Sequence, residues 1–290
     1  MKVSVLNLVP LRHGESFKDA MDAMVRLAKR VEDLGYTRYW IAEHHNMRSI
    51  ASSATQLLIQ HTLANTKKIR VGSGGVMLPN HSPYLIAEQY GTLETLYPNR
   101  VDLGLGRAPG TDVPTAMALR RTKDLKTDFE RDLAELSGYF KGSNYVQAYP
   151  AHGLYLPFYI LGSSTDSAYL AAKLGLPYSF AAHFAPTMME NAIAIYNRYF
   201  QPSAILDKPY VILGVNAILA DTDEEAKRLS TTMIQSFLNI VTSNQKGLMP
   251  PLQSEEAVWR EFIATNKVPH FGPIAFEVDN LISHEKEIVE

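Results

Sequence analysis

Strand-like and helix-like segments alternate along almost the whole chain, and this alternation restricts the fold more than any other feature of the sequence. Val3 to Val9 reads as a first strand. Ser16 is placed to cap a helix whose apolar face is Phe17, Ala20, Met24, Leu27, Val31 and Leu34, with Gly35 as its stop. Strands are predicted over Tyr39–Ala42, Ile69–Met77, Val101–Leu105, Pro157–Leu161, Tyr178–Ala182 and Tyr210–Leu219. Between and after them, helices are predicted over Ala51–Asn65, Pro83–Leu96, Thr122–Phe140, Thr165–Leu174 and Thr187–Tyr199. A last one starts at the capping-box sequence Thr222-Asp223-Glu224-Glu225 and runs to Val241. Seven consecutive βα units favour an α/β fold of the TIM (β/α)8 barrel type over an open doubly wound sheet. Pro273 to Val278 could supply an eighth strand, but only a short charged tail follows. The expectation is one barrel domain over 1–290, with an atypical or incomplete eighth unit in the tail 268–290.

Composition removes several classes of function. With 28 Lys and Arg against 30 Asp and Glu, the net charge of −2 offers no footprint for nucleic acid or an anionic membrane. Any anion site must be local. The chain has no cysteine, which excludes disulfides, thiolate metal ligands and thiol nucleophiles together. No apolar run has membrane-spanning length and no cleavable signal pattern opens the chain, so a cytoplasmic protein is the expectation.

Four segments fall at predicted strand ends, the face on which barrels of this type build active sites. The first is Glu43-His44-His45, where an aromatic and aliphatic strand stops at a carboxylate and two imidazoles. Adjacent side chains diverge, so both imidazoles cannot easily share one metal, and no His-x-x-x-His spacing supplies another ligand. No metal is expected. A single histidine acting as acid, base or hydrogen-bond donor is one reading, and a buried polar cluster at the rim is the other. The second segment, Gly72-Ser73-Gly74-Gly75, permits either close approach by a flat ligand or a bulge. The third, Gly104 to Asp112, lacks the third glycine of a dinucleotide fingerprint. Its Arg107 could clamp a phosphate or carboxylate, or form a rim salt bridge. The fourth, Leu161-Gly162-Ser163-Ser164-Thr165-Asp166-Ser167, runs from a strand end straight into a helix. One hydroxyl suffices for capping, so the excess leans towards a phosphate at the helix N-terminus. A phosphate clamp, glycines and a histidine together suit a mononucleotide such as FMN.

Taken together these pieces resemble the bacterial luciferase-like flavin monooxygenase family. The matching stretches are Tyr39 to His45, Ser52-Ser53, Arg70 to Pro83, Ala87-Glu88-Gln89, Asn99 to Asp112 and Ile160 to Ser164. The similarity runs from the first strand to about Gly247 and is greatest to the short, single-chain members.

The resemblance implies a set of roles. His44 would take the family's catalytic histidine position at the reactive face of the flavin, near its peroxide intermediate. Gly74-Gly75 would form a non-proline cis peptide beneath the ring system. Arg107, Gly162, Ser163, Ser164 and Ser167 would hold the phosphate, and Glu43, His45, His81 and His183 would line the substrate pocket. The implied reaction uses reduced FMN from a separate flavin reductase, with dioxygen, to oxidise a small organic substrate, an aldehyde in the luminescent members. A homodimer is implied as well. Two alternatives stay open: a flavin-binding protein without turnover, and a deazaflavin-dependent reductase on the same barrel. The chain departs from the family pattern over Val268 to Glu290.

Overall fold

The computed structural model describes residues 1–120, 128–242 and 246–266. The predicted strand at Pro273–Val278 and the tail 268–290 lie outside them, as does the start of the helix predicted from Thr122. The chain forms two compact units. The larger comprises Met1–Ala217 with Gln245–Leu248, and the smaller comprises Ile218–Asn244 with Met249–Glu290.

In the larger unit, seven parallel strands stand in sequence order: β1 (Ser4–Asn7), β2 (Arg38–Ile41), β3 (Arg70–Met77), β4 (Val101–Gly106), β5 (Phe158–Gly162), β6 (Tyr178–Phe180) and β7 (Val211–Leu213). Consecutive parallel neighbours need a crossover between each pair. The helices α1 (Phe17–Asp33), α2 (Thr55–Asn65), α3 (Pro83–Leu96), α4 (Val113–Arg120), α5 (Phe129–Lys141), α6 (Thr165–Leu174) and α7 (Met189–Tyr199) supply them. This is the continuous parallel βα series expected from the sequence, with seven strands among the described residues.

Local chemistry explains several boundaries. Ser16 caps α1 in a reciprocal capping box with Asp19. Pro83 sits in the first turn of α3, where its missing N–H costs nothing. Gly175 ends α6 in the left-handed region at φ +60°. The helix α4 lies where the sequence reads as loop; Asp112 starts it by accepting from the Thr115 amide at 2.9 Å. β7 is much shorter than the predicted Tyr210–Leu219.

Alternate residues of β2 serve opposite faces. Tyr39 and Ile41 join the hydrophobic core, and the Tyr39 hydroxyl donates to the Met24 carbonyl of α1 at 3.1 Å. Arg38 and Trp40 instead donate to the buried Asp102 of β4, at 3.1 and 3.0 Å, and Arg70 of β3 donates to the same carboxylate at 2.8 Å. Asp102 is fully buried, and its two arginine donors, Arg38 and Arg70, are the first residues of their strands. Such a satisfied ionic cluster holds strands in register away from the face where side chains are free to act.

The smaller unit contains α8 (Asp223–Val241) and α9 (Glu255–Asn266). Thr222 caps α8 by accepting from the Glu225 amide, but the Glu225 carboxylate pairs with Arg228, so the predicted capping box is only half made. Thr231 exchanges hydrogen bonds with the backbone of Leu252, and Thr232 donates to the Met249 carbonyl. Among the described residues, no helix in either unit is long and apolar enough to cross a membrane.

Candidate active site

The loops after β2, β3 and β4 meet at the C-terminal ends of those strands. Glu43, two residues beyond β2, is fully buried and sits at their junction. Its Oε1 accepts from His45 Nε2 and from His81 Nε2, each at 2.8 Å. Its Oε2 accepts from the Met77 amide at 3.1 Å. Burial pushes the Glu43 carboxyl up, but the two imidazoles and the Met77 amide more than offset this and hold it at about 2. The group is therefore an ionised acceptor at neutral pH.

The β4 loop is tied into the same junction. Asn80 donates to the Pro109 carbonyl at 2.6 Å, Thr111 to the His45 carbonyl at 3.3 Å, and Asn46 to Asp112 at 2.9 Å. A Cβ on Gly110 would come within 3.2 Å of the Glu43 carbonyl, and its φ of +61° also favours glycine.

His44 points elsewhere. Its amide donates to the Ser52 carbonyl at 3.2 Å, and Ser52 in turn donates to the Leu8 carbonyl, so the backbone is fixed from two sides. The side chain has no such partner, and Nδ1 is buried without a hydrogen bond. Burial pushes the imidazole below its ordinary value; Glu43 opposes this and His45 adds to it. His44 is thus a neutral, firmly mounted ring with a free hydrogen-bonding atom.

The glycine run ends in a cis Gly74–Gly75 peptide, next to a register shift between β3 and β4 at Ser73/Val76. Across that shift the Ser73 hydroxyl donates to the Gly104 carbonyl and accepts from the Gly104 amide, at 2.9 and 3.1 Å. Close packing accounts for most of these glycines. A Cβ on Gly72 would strike the Asp102 carbonyl, one on Gly75 would lie 2.9 Å from the Gly104 carbonyl, and one on Gly104 would strike the Ser73 carbonyl. Gly74 differs, because its nearest obstacle is the side-chain end of Leu6 at 2.6 Å.

Arg107, just past β4, lines one cleft with Leu161 of β5 and with Asp166 and Ser167 in the first turn of α6. Arg107 reaches Asp166 in the first turn of α6 at 3.2 Å, with both side chains exposed. Ser164 occupies the N-cap position yet makes no capping hydrogen bond, which leaves the first amides of α6 without a side-chain cap. Ser167 is different. It is buried, donates to the Ser164 carbonyl at 2.7 Å and touches the Tyr178 hydroxyl at 3.1 Å. Gly162 is required by it, since a Cβ there would collide with the Ser167 hydroxyl. The guanidinium and the uncapped amides of α6 are chemically suited to an anion such as a phosphate, Ser163 and Ser164 immediately precede those amides, and the Asp166 carboxylate opposes an anion.

His183 follows β6 and belongs to the other end of the strand order. Its Nδ1 faces the Gly214 carbonyl at 3.4 Å, its ring stands edge-on to Phe184, and burial pushes it below its ordinary value. The structure thus joins Glu43, His45 and His81 in one cluster, and Arg107 with Asp166 in the first turn of α6 in another. Sequence reading did not find the bond between Glu43 and His81, nor the part of Asn80. A buried, unpartnered Asn80 Oδ1 beside His81 carries no signal in a single sequence.

The comparisons with known proteins agree on one family. The profile of the luciferase-like monooxygenases matches residues 1–270. A luciferase-like monooxygenase of Escherichia coli strain K12 is 49% identical over 260 residues, covering 88% of this chain and 78% of its own length. The crystal structure of apo-MsnO8 superposes with a TM-score of 0.82 at 33% identity, over 94% of this chain and 80% of that one. The oxygenating constituent of 3,6-diketocamphane monooxygenase from Pseudomonas putida, solved in complex with FMN, shares the fold with a TM-score of 0.65. Its identity is 18%, with 84% of this chain and 78% of that chain covered.

Proposed function

We propose, because the chain belongs to the luciferase-like monooxygenase family, that it is an FMN-dependent monooxygenase acting on a small organic substrate, with His44 facing the flavin. The observation that carries this reading is the buried, unpartnered Nδ1 of a neutral His44 whose backbone amide is held by the Ser52 carbonyl. A buried polar atom left without a partner costs about 1–3 kcal/mol, and a bound ligand recovers that cost. Bound in reduced form, FMN supplies two electrons, and dioxygen then delivers one oxygen atom to the substrate while the other leaves as water.

The chain's own residues divide the remaining tasks. Arg107, Ser163 and Ser164 hold the phosphate together with the first amides of α6, while Gly162 and Ser167 shape that turn. Gly74 and Gly75 form the part of the wall on which the ring system rests. His44 donates or accepts a hydrogen bond at the reactive face and moves a proton there. Glu43, His45 and His81 form one side of the substrate pocket, and His183 lines another. Catalysis of this kind also needs water kept out, and the tied loops after β2, β3 and β4 provide a rigid wall. Reduced FMN comes from a separate reductase, and the enzyme works in the cytoplasm as a homodimer.

Oxygen uptake tests the reading. Purified protein, supplied with reduced FMN and a panel of aldehydes and thioethers, is expected to consume oxygen and form product with at least one of them. His44→Ala is expected to lose product while still binding FMN. Uptake without product for every substrate would support a flavin-binding protein without turnover. Tight binding of a deazaflavin in place of FMN would support the reductase.

A further inference from the structure

We infer that Glu43 is a positioning residue that fixes His45 and His81 as paired hydrogen-bond acceptors, and that the site takes a substrate carrying an N–H or O–H donor. The first step follows from proton accounting. An ionised carboxylate can only accept, so both nitrogens lying 2.8 Å from Glu43 Oε1 must carry protons. A neutral imidazole has one N–H, which makes each ring the Nε2–H tautomer and each Nδ1 an acceptor. Among the described residues, neither Nδ1 has a hydrogen-bond partner.

The rings cannot easily turn to present the other nitrogen. Glu43 is fully buried, and its second oxygen is held by the Met77 amide at 3.1 Å, so the carboxylate itself is fixed. The His45 backbone is tied to Thr111 on the neighbouring loop, and His81 follows the buried turn Leu78–Asn80. The side chains of His45 and His81 keep 12% and 22% of their surface exposed, so neither is sealed inside the core. Two fixed acceptors on rings held by one carboxylate favour a ligand that brings donors and disfavour one that offers only acceptors, such as a bare aldehyde.

The substrate clause rests on the monooxygenase reading; the tautomer clause stands without it. Long-range 1H–15N spectra of histidine-labelled protein read the tautomers directly, with His45→Gln and His81→Gln used for assignment. Both rings are expected to show a protonated Nε2 and an unprotonated Nδ1 at pH 8. A protonated Nδ1 in either ring would overturn the assignment. For the substrate, the FMN-loaded protein is titrated with 4-hydroxyphenyl methyl sulfide and its O-methyl counterpart, following the flavin absorbance. The hydroxyl compound is expected to bind at least about 5-fold tighter. The double variant His45→Leu/His81→Leu removes both acceptors and is expected to lose that preference. Equal binding of both compounds by the wild type, or an unchanged preference in the double variant, would overturn the substrate clause. Failure to bind FMN would remove the flavin reading instead and leave the tautomer result standing.

Discussion

His81 Nε2 lies 2.8 Å from Glu43 Oε1, joining the loop after β3 to the loop after β2 across 38 residues of sequence. The same oxygen holds His45 at the same distance. This one buried carboxylate therefore ties the loop that carries His44 and His45 to the loop that carries His81.

The Glu43 carboxylate makes stability depend on acid. Its value falls from an ordinary 4.5 to about 2 in the folded chain. A depressed carboxylate stabilises fully above its unfolded value and loses that contribution as pH falls through the folded one. At roughly 1.4 kcal/mol per unit this amounts to about 3 kcal/mol, lost between about pH 4.5 and pH 2. Glu43→Gln is expected to cost a similar amount at pH 7 and to flatten that part of the curve. Urea unfolding of both proteins at several pH values measures it.

His44 should separate activity from stability. Because its side chain bonds nothing in the fold, His44→Ala is expected to change stability by less than about 1 kcal/mol while lowering turnover by about 100-fold or more. Its lowered value carries a sign as well. The unfolded chain binds a proton more readily than the folded one below about pH 6.5, so this residue makes stability fall as pH drops through that range. Comparing wild type and His44→Ala in thermal unfolding at pH 5.5 and 7.5 isolates the effect, and the variant is expected to show the smaller pH dependence.

Arg107 distinguishes a phosphate clamp from a rim salt bridge. The Arg107–Asp166 pair is exposed on both sides, so Arg107→Ala is expected to leave stability within about 1 kcal/mol of wild type. It should weaken FMN binding by about 10-fold or more without changing the affinity for riboflavin, which lacks the phosphate. Asp166→Asn frees the guanidinium and removes a like charge, so FMN should bind at least as tightly. Equal losses for FMN and riboflavin would contradict the phosphate role.

Two glycines of β4 should respond differently to alanine. A Cβ on Gly104 meets the fixed carbonyl of Ser73, whereas one on Gly106 meets the Met77 sulfur at 2.8 Å, the far end of a flexible side chain. Gly104→Ala is expected to destabilise by roughly 2 kcal/mol or more, and Gly106→Ala by about 1 kcal/mol or less. Chemical denaturation of the two variants decides it.

The fold was legible in the sequence wherever the signal was local. Pro83–Leu96 and Thr165–Leu174 match their helices to the residue, because a first-turn proline and a left-handed glycine mark the ends. The helix Val113–Arg120 was not legible. Gly110-Thr111-Asp112 reads as loop, and only the structure shows Asp112 turned back onto Thr115. Non-local facts were hidden in the same way. The glycines of β3 and β4 suggest room for a ligand, yet Gly72, Gly75 and Gly104 are needed for strand-to-strand contact first. Ser167 reads as a free hydroxyl and is instead spent on Ser164 and Tyr178. The corner formed by Glu43, His45 and His81 depends on loops brought together by the strand order, which no single stretch of sequence encodes.

The most direct measurement of the central claim is an anaerobic titration of the purified protein with reduced FMN, repeated with His44→Ala and Arg107→Ala. Saturable binding of reduced FMN, weakened by Arg107→Ala and nearly unchanged by His44→Ala, is the expected result. Absence of saturable binding by the wild-type protein would contradict the account.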